Sequence, residues 1–115
     1  MAEFIIVTWI MIQNRSEQHE ENLKKNLEYW RKNAKRFKLK SMRYYAQALG
    51  CDSFHYGRVL VLEFETLNDW EAFRTYIEED EKAFALKEQW LAEVDTETLK
   101  IAEWQDRQRE AWLGS

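Results

Sequence analysis

From Phe4 to Ile12 only Thr8 is polar, and the run is rich in β-branched residues. Apolar side chains on both alternating faces mark a central strand covered on both sides. Asn14, Arg15 and Ser16 break the run, with Ser16 placed as a helix N-cap and Glu17 behind it. Leu23, Leu27, Trp30, Ala34 and Phe37 then recur at spacings of four, three, four and three, one apolar stripe along a helix. Leu39 to Leu49 reads as a second strand, Gly50 to Ser53 as a turn, and His55 to Glu65 as a third strand centred on Val59 to Leu62. Asn68 and Glu71 stand at capping-box spacing before a helix face of Trp70, Phe73 and Ile77. The acidic stretch Glu78 to Glu81 interrupts that helix. A further helical stretch follows, with Ala83, Phe84, Leu86, Trp90 and Leu91 apolar. Thr96 to Trp104 alternates as a fourth strand, and 105–113 reads as a short helix bearing Trp112 and Leu113.

The order β-α-β-β-α-β gives an α+β fold with a four-stranded antiparallel sheet, strands in the order 4-1-3-2. Two helices cover one sheet face. The first strand is apolar on both, with Trp9 and Met11 on one side and Ile6 and Ile10 on the other. A face left bare in this way is a large exposed patch. A second copy is the simplest cover, so a homodimer is expected.

Composition narrows the picture. At 115 residues the chain is read as one domain, 1–115, and 45% hydrophobic content excludes a disordered chain despite 33% charge. A net charge of −4 argues against a dedicated nucleic-acid binder. The lone Cys51 forms no internal disulfide, which favours a reducing compartment. The N-terminal apolar run has no basic leader and is too short for a bilayer, which needs about 20 apolar residues. The expectation is a cytoplasmic protein without a membrane partner.

The stretch Val59-Leu60-Val61-Leu62-Glu63-Phe64-Glu65-Thr66-Leu67-Asn68-Asp69-Trp70-Glu71-Ala72-Phe73 resembles the dimeric α+β barrel superfamily, which has a ferredoxin-like fold. Antibiotic-biosynthesis monooxygenase-like and NIPSNAP-like proteins are members. The stretch from Phe84 to Trp90 suits the broken second helix of that group. The resemblance implies a homodimeric barrel and is poorly specific for function, because the superfamily hosts oxygenases, isomerases, stress proteins and domains without known activity. Its haem-degrading members use an Asn on the first strand, a Trp ending the third and a His on the second helix. Here Thr8 and Phe64 stand at the first two positions, and 68–94 contains no histidine. That chemistry is therefore not expected.

Same-face residues of the hairpin share parity. Met42, Tyr44, Ala46, Leu60, Leu62 and Phe64 make an apolar face for the helices. Arg43, Tyr45, Gln47, Val59, Val61 and Glu63, with His55, make the other, and Trp9 is assigned to this second side. A carboxylate at Glu63 among aliphatic neighbours needs a partner. It is read either as a structural ion pair with Arg43 or as part of a constellation of Glu63, His55, Arg43 and Tyr45 able to orient a small substrate and move a proton. Candidate pocket residues are Thr8, Trp9, Tyr44, Phe64, Phe84 and Trp104. His19, in the first turn of the first helix, is read as solvated. Arg31, Lys32, Lys35, Arg36, Lys38, Lys40 and Arg43 fall within 13 residues that contain no acid. They are read as a solvated helix end or as an anion or nucleic-acid patch. No metal-ligand spacing, phosphate-binding glycine loop or nucleophile–base motif occurs, so neither a metal nor a cofactor is expected. Three function classes stay open: a cofactor-independent monooxygenase-like or isomerase-like enzyme on a small apolar or aromatic molecule, a non-enzymatic ligand-binding or stress-response protein, and a protein-interaction dimer.

Overall fold

A computed structural model describes residues 2–47 and 57–106. The elements run β1 (Glu3–Met11), α1 (Ser16–Lys32), a 3-10 turn (Ala34–Phe37), β2 (Leu39–Ala46), β3 (Gly57–Phe64), α2 (Leu67–Glu79), α3 (Glu81–Leu91) and β4 (Val94–Gln105). All strand pairs are antiparallel in the order β2-β3-β1-β4, the ferredoxin-like arrangement expected. His55 and Cys51 lie outside the described residues, as do Trp112, Leu113 and most of the expected tail helix.

The local chemistry explains the boundaries. The stripe from Leu23 to Phe37 is continuous, but the α-helix stops at Lys32, because Asn33 donates its side-chain amide to Tyr29 O and to the Tyr76 hydroxyl. The last turn tightens to 3-10, and Lys38 closes it in the left-handed region at φ 54°. Arg15 rather than Ser16 occupies the N-cap of α1, and it makes no side-chain cap. The capping box of α2 is Thr66 with Asp69, not Asn68 with Glu71. Thr66 Oγ1 accepts from Asp69 N at 3.2 Å, and Asp69 Oδ2 accepts from Thr66 N at 3.1 Å. Thr66 is the residue with extended backbone angles, which is what a cap requires. The acidic break is also a cap. Asp80 ends α2 and begins α3, accepting from Ala83 N at 2.9 Å and from the Tyr29 hydroxyl at 3.0 Å.

β1 decides the two faces. Glu3, Ile5, Val7, Trp9 and Met11 are buried, and the even positions between them are half-buried. Ile5 pairs with Leu62, Val7 with Leu60 and Trp9 with Arg58, so these side chains share the helix-covered face with Met42 and Tyr44. Phe73 is the fully buried centre of the aromatic core, within 5.8 Å between ring centroids of Trp30, Phe37, Phe64 and Tyr76. Phe73→Ala is expected to destabilise the fold by about 3–5 kcal/mol, read as a lowered denaturant midpoint at unchanged slope. A loss under 1 kcal/mol would show that these contacts do not hold the core.

Candidate functional site

The chemistry-bearing residues gather under the helices, on the face opposite to the one expected. α1 buries a row of polar side chains, His19, Asn22 and Asn26, beside Leu23 and Trp30. Asn22 and Asn26 donate to the α3 carbonyls of Gln89 and Leu86 at 3.2 and 2.8 Å, which sets α3 against α1. One turn earlier that row delivers His19 to the sheet. His19 is fully buried rather than solvated. Its Nε2 accepts the Trp9 indole N–H at 2.9 Å and the Trp90 indole N–H at 3.2 Å. An indole nitrogen only donates, so Nε2 is unprotonated and the imidazole hydrogen sits on Nδ1. Burial lowers the His19 pKa from its ordinary value, and the nearby Glu20 carboxylate opposes that shift without reversing it.

Glu20 joins this buried pair to solvent. Its Oε1 lies 3.4 Å from His19 Nδ1, accepts the Tyr44 hydroxyl at 2.7 Å, and accepts Arg58 Nε at 3.1 Å. Arg58 is buried, whereas Glu20 keeps 42% of its side chain exposed. Burial alone would raise the Glu20 pKa. The hydrogen bonds from Tyr44 and Arg58 outweigh it and hold the carboxylate below its ordinary range. Burial and the same carboxylate push the Tyr44 phenol upward, so it stays a donor. Trp9 stacks on Tyr44 at 6.2 Å with 9° between the planes, and meets Trp90 edge-on at 4.9 Å. Beside the cluster, Arg15 forms a bidentate pair with the buried Glu93, at 2.6 and 2.8 Å, which ties the start of α1 to the α3–β4 junction. The assembled groups are a neutral imidazole, an ionised carboxylate, a protonated phenol and a guanidinium against two indoles.

The expected site residues divide between the faces. Trp9 is not on the open face, because the pairing of β1 with β3 gives it the parity of Arg58 and Leu60. Tyr44 faces the helices, and Phe64 is fully buried in the aromatic core. Thr8 lies on the open face opposite Val59 and Lys100, and Trp104 lies there opposite Phe4, 63% exposed. Phe84 is exposed on α3 beneath the Lys87 ammonium. Thr8, Tyr44, Phe64 and Phe84 therefore do not share one face. On the open face, Glu63 stands opposite Ser41 and Phe4 and accepts from Ser41 Oγ at 3.0 Å. Arg43 and Tyr45 pair with Val61 and Val59, and among the described residues no ion pair joins Arg43 to Glu63. Ser41 stands directly opposite Glu63 in the register that continues through Met42↔Leu62 and Arg43↔Val61, so its short hydroxyl meets the carboxylate and Arg43 is only diagonal to it. In the basic run, Lys38 and Lys40 approach Glu65 at 3.7 and 3.9 Å, and Arg36 lies over the Phe37 and Tyr76 rings. Arg31 and Lys32 occupy the last turn of α1, where they complement its dipole. Among the described residues no group of three histidine, cysteine or acidic side chains is placed to hold a metal ion, and no helix is long and apolar enough to cross a membrane.

No family model matches the sequence, and no curated protein matches it. Solved structures do match the fold. A NIPSNAP family protein from Agrobacterium tumefaciens aligns with TM-score 0.72 at 9% identity, over 91% of this chain and 92% of that one. A dimeric ferredoxin-like protein of unknown function from Jannaschia aligns with TM-score 0.68 at 8% identity, over 91% and 99%. A variant of SnoaB, a cofactor-independent oxygenase from Streptomyces nogalater, aligns with TM-score 0.67 at 7% identity, over 93% and 94%. The neighbours are thus of the kinds expected from the 59–73 stretch. At these identities the likeness shows the fold alone. The neighbours range from proteins of unknown function to an oxygenase, so the fold selects no activity.

Two expectations test the cluster. Tyr44→Phe removes the shortest hydrogen bond to Glu20, and is expected to raise the Glu20 pKa and to cost about 1 kcal/mol in denaturant unfolding. An unchanged carboxyl titration by NMR would contradict the assignment. Glu20 has its folded pKa depressed, so its contribution is present above the ordinary value of 4.5 and is lost as pH falls through the folded value. The stability gap between wild type and Glu20→Gln is therefore expected to close on acidification below pH 4.5, measured as denaturant midpoints from pH 7 to 3. A gap independent of pH would show that Glu20 is not held ionised by its neighbours.

Proposed function

We propose that the chain works as a homodimer that binds a small molecule with an apolar or aromatic body, without a metal, at the solvent end of the His19–Glu20–Tyr44–Arg58 cluster. The observation that carries this reading is Glu20 itself. His19, Tyr44 and Arg58 each approach its Oε1, yet the side chain keeps 42% exposure. A carboxylate held ionised and half-open, beside stacked aromatic rings, suits a ligand that brings a hydroxyl or amine donor on an aromatic frame. The cofactor-independent oxygenase among the structural neighbours is compatible with chemistry on such a ligand.

The dimer rests on the open face. Phe4, Ile6, Ile10, Val59 and Val61 are half-buried across β1 and β3, and Trp104 extends the surface onto β4. Among the described residues the helices lie on the other side of the four-stranded sheet. Two neighbours, from Jannaschia and Bacteroides fragilis, are dimeric proteins of this fold. Packing two such faces together removes the exposed apolar strip.

Light scattering is expected to give twice the 14.0 kDa chain mass. Val61→Lys, whose side chain lies on the open face, is expected to halve it with the fold retained by circular dichroism. A variant that stays dimeric at micromolar concentration would place the interface elsewhere. For the ligand, 1-naphthol and naphthalene serve as paired probes, followed through the amide signals of Glu20 and Tyr44. Naphthol is expected to bind at least about tenfold more tightly than naphthalene, about 1.4 kcal/mol, with the preference lost in Glu20→Gln. No binding of either probe, or equal binding of both, would overturn the reading.

A further inference from the structure

We infer that His19 is an acid-operated latch, in which protonation of Nε2 displaces the Trp9 and Trp90 indoles together and frees α3 from β1 at the cluster proposed to bind ligand. The inference concerns regulation of that site and rests on its location there, but the latch is defined by the His19–indole geometry and is measured without ligand.

Two N–H donors on one imidazole nitrogen make the arrangement conditional on charge. Trp9 belongs to β1 and Trp90 to α3, and both point their only polar atom at His19 Nε2, at 2.9 and 3.2 Å. A proton arriving at Nε2 has no acceptor there, and it meets two hydrogens already aimed at the same atom. Neither indole can turn its function round to accept. Both bonds therefore break on one event, and the edge-on contact of Trp9 with Trp90 at 4.9 Å loses its common anchor. The site is fully buried, so water does not stand in for the lost acceptor.

The charges facing the ring set where this happens. From α1 come Glu20, 3.4 Å from Nδ1, and Arg15. From β2 comes the protonated Tyr44 phenol, from β3 the Arg58 guanidinium, and from the α3–β4 junction Glu93. Glu20 and Glu93 favour the imidazolium and Arg58 disfavours it. Arg15 neutralises Glu93 through its bidentate bridge, and Arg58 and Tyr44 both engage Glu20. Desolvation is the largest influence, and it keeps the ring neutral below its ordinary value of 6.5. Because the folded value is depressed, the unfolded chain takes up the proton first. The contribution to stability is complete above pH 6.5 and is lost as pH falls through the folded value. The Glu20 carboxylate is held below its ordinary value of 4.5, and its own carboxyl signal follows it apart from the imidazole in the same titration.

The test is a pH titration from 8 to 4 of tryptophan emission together with the imidazole nitrogen shifts and the indole hydrogen exchange of the ligand-free protein. At neutral pH Nδ1 is expected to carry the hydrogen and Nε2 to be bare. Below 6.5, charging of His19 is expected to coincide with a red shift in emission and with at least tenfold faster exchange of the Trp9 and Trp90 indole hydrogens, while the Phe73 amide stays protected. His19→Gln places a non-titrating acceptor near the Nε2 position and is expected to abolish the emission step that accompanies His19 charging. Three results would overturn the latch: Nε2 protonated at pH 7, an emission step unchanged in His19→Gln, or His19 charging only together with loss of Phe73 protection. The nitrogen shifts are read on wild type, so the proposal remains testable if the variant does not fold. Failure of naphthol to bind while the indoles still release would remove the ligand reading and leave the latch standing.

Discussion

A buried hydrogen-bond acceptor shared by two indoles holds the helix layer to the sheet at one end of the molecule. The sharing works because all three residues are fixed from different directions. Trp9 is set by the pairing of β1 with β3, Trp90 by α3, and His19 by α1. The aromatic packing around Phe73 stabilises the other end through area and shape, and it tolerates small adjustments. The His19 end does not, because a buried polar atom is either satisfied or costly. Glu20, Tyr44 and Arg58 extend the same network outward until it reaches solvent. The candidate site is thus the edge of the structural network and not an addition to it.

The fold was legible because its signals are redundant. Strand parity in the hairpin, the stripe on α1 and the apolar run of β1 each point to the same topology, and the comparison with solved structures agrees. The face assignment of Trp9 was not legible. β1 is apolar at both parities, so hydrophobicity alone leaves its orientation undetermined, and the pairing Trp9↔Arg58 decides it. Arg58 also shows why. A cation at the end of β3 reads as solvated until the acid from α1 that covers it is in place.

His19 was misread for a related reason. A polar residue in the first helical turn ordinarily faces water, and two turns of charged sequence surround this one. The signal that marks it is its spacing. His19, Asn22 and Asn26 stand at intervals of three and four and lead into Trp30, so they occupy the same face as the apolar stripe. Polar residues at core spacing announce a hydrogen-bonded interface. The expected Arg43–Glu63 ion pair is absent among the described residues for a more local reason. The hairpin register sets Ser41 directly opposite the carboxylate and Arg43 only diagonal to it, so the short hydroxyl and not the long cation is its partner.

The contacts of Asn22 and Asn26 have an evolutionary side. Both donate to main-chain carbonyls of α3, those of Gln89 and Leu86, and not to side chains. α1 therefore recognises the shape and position of a helix and is blind to the residues that compose it. Drift at the exposed positions of α3 leaves these two bonds intact wherever helicity and the buried Ala83 and Trp90 are kept, whereas α1 must keep its amides. The two helices of one interface are accordingly subject to unequal constraint, and relatives of this chain can diverge at 86 and 89 without losing the alignment that brings Trp90 to the imidazole.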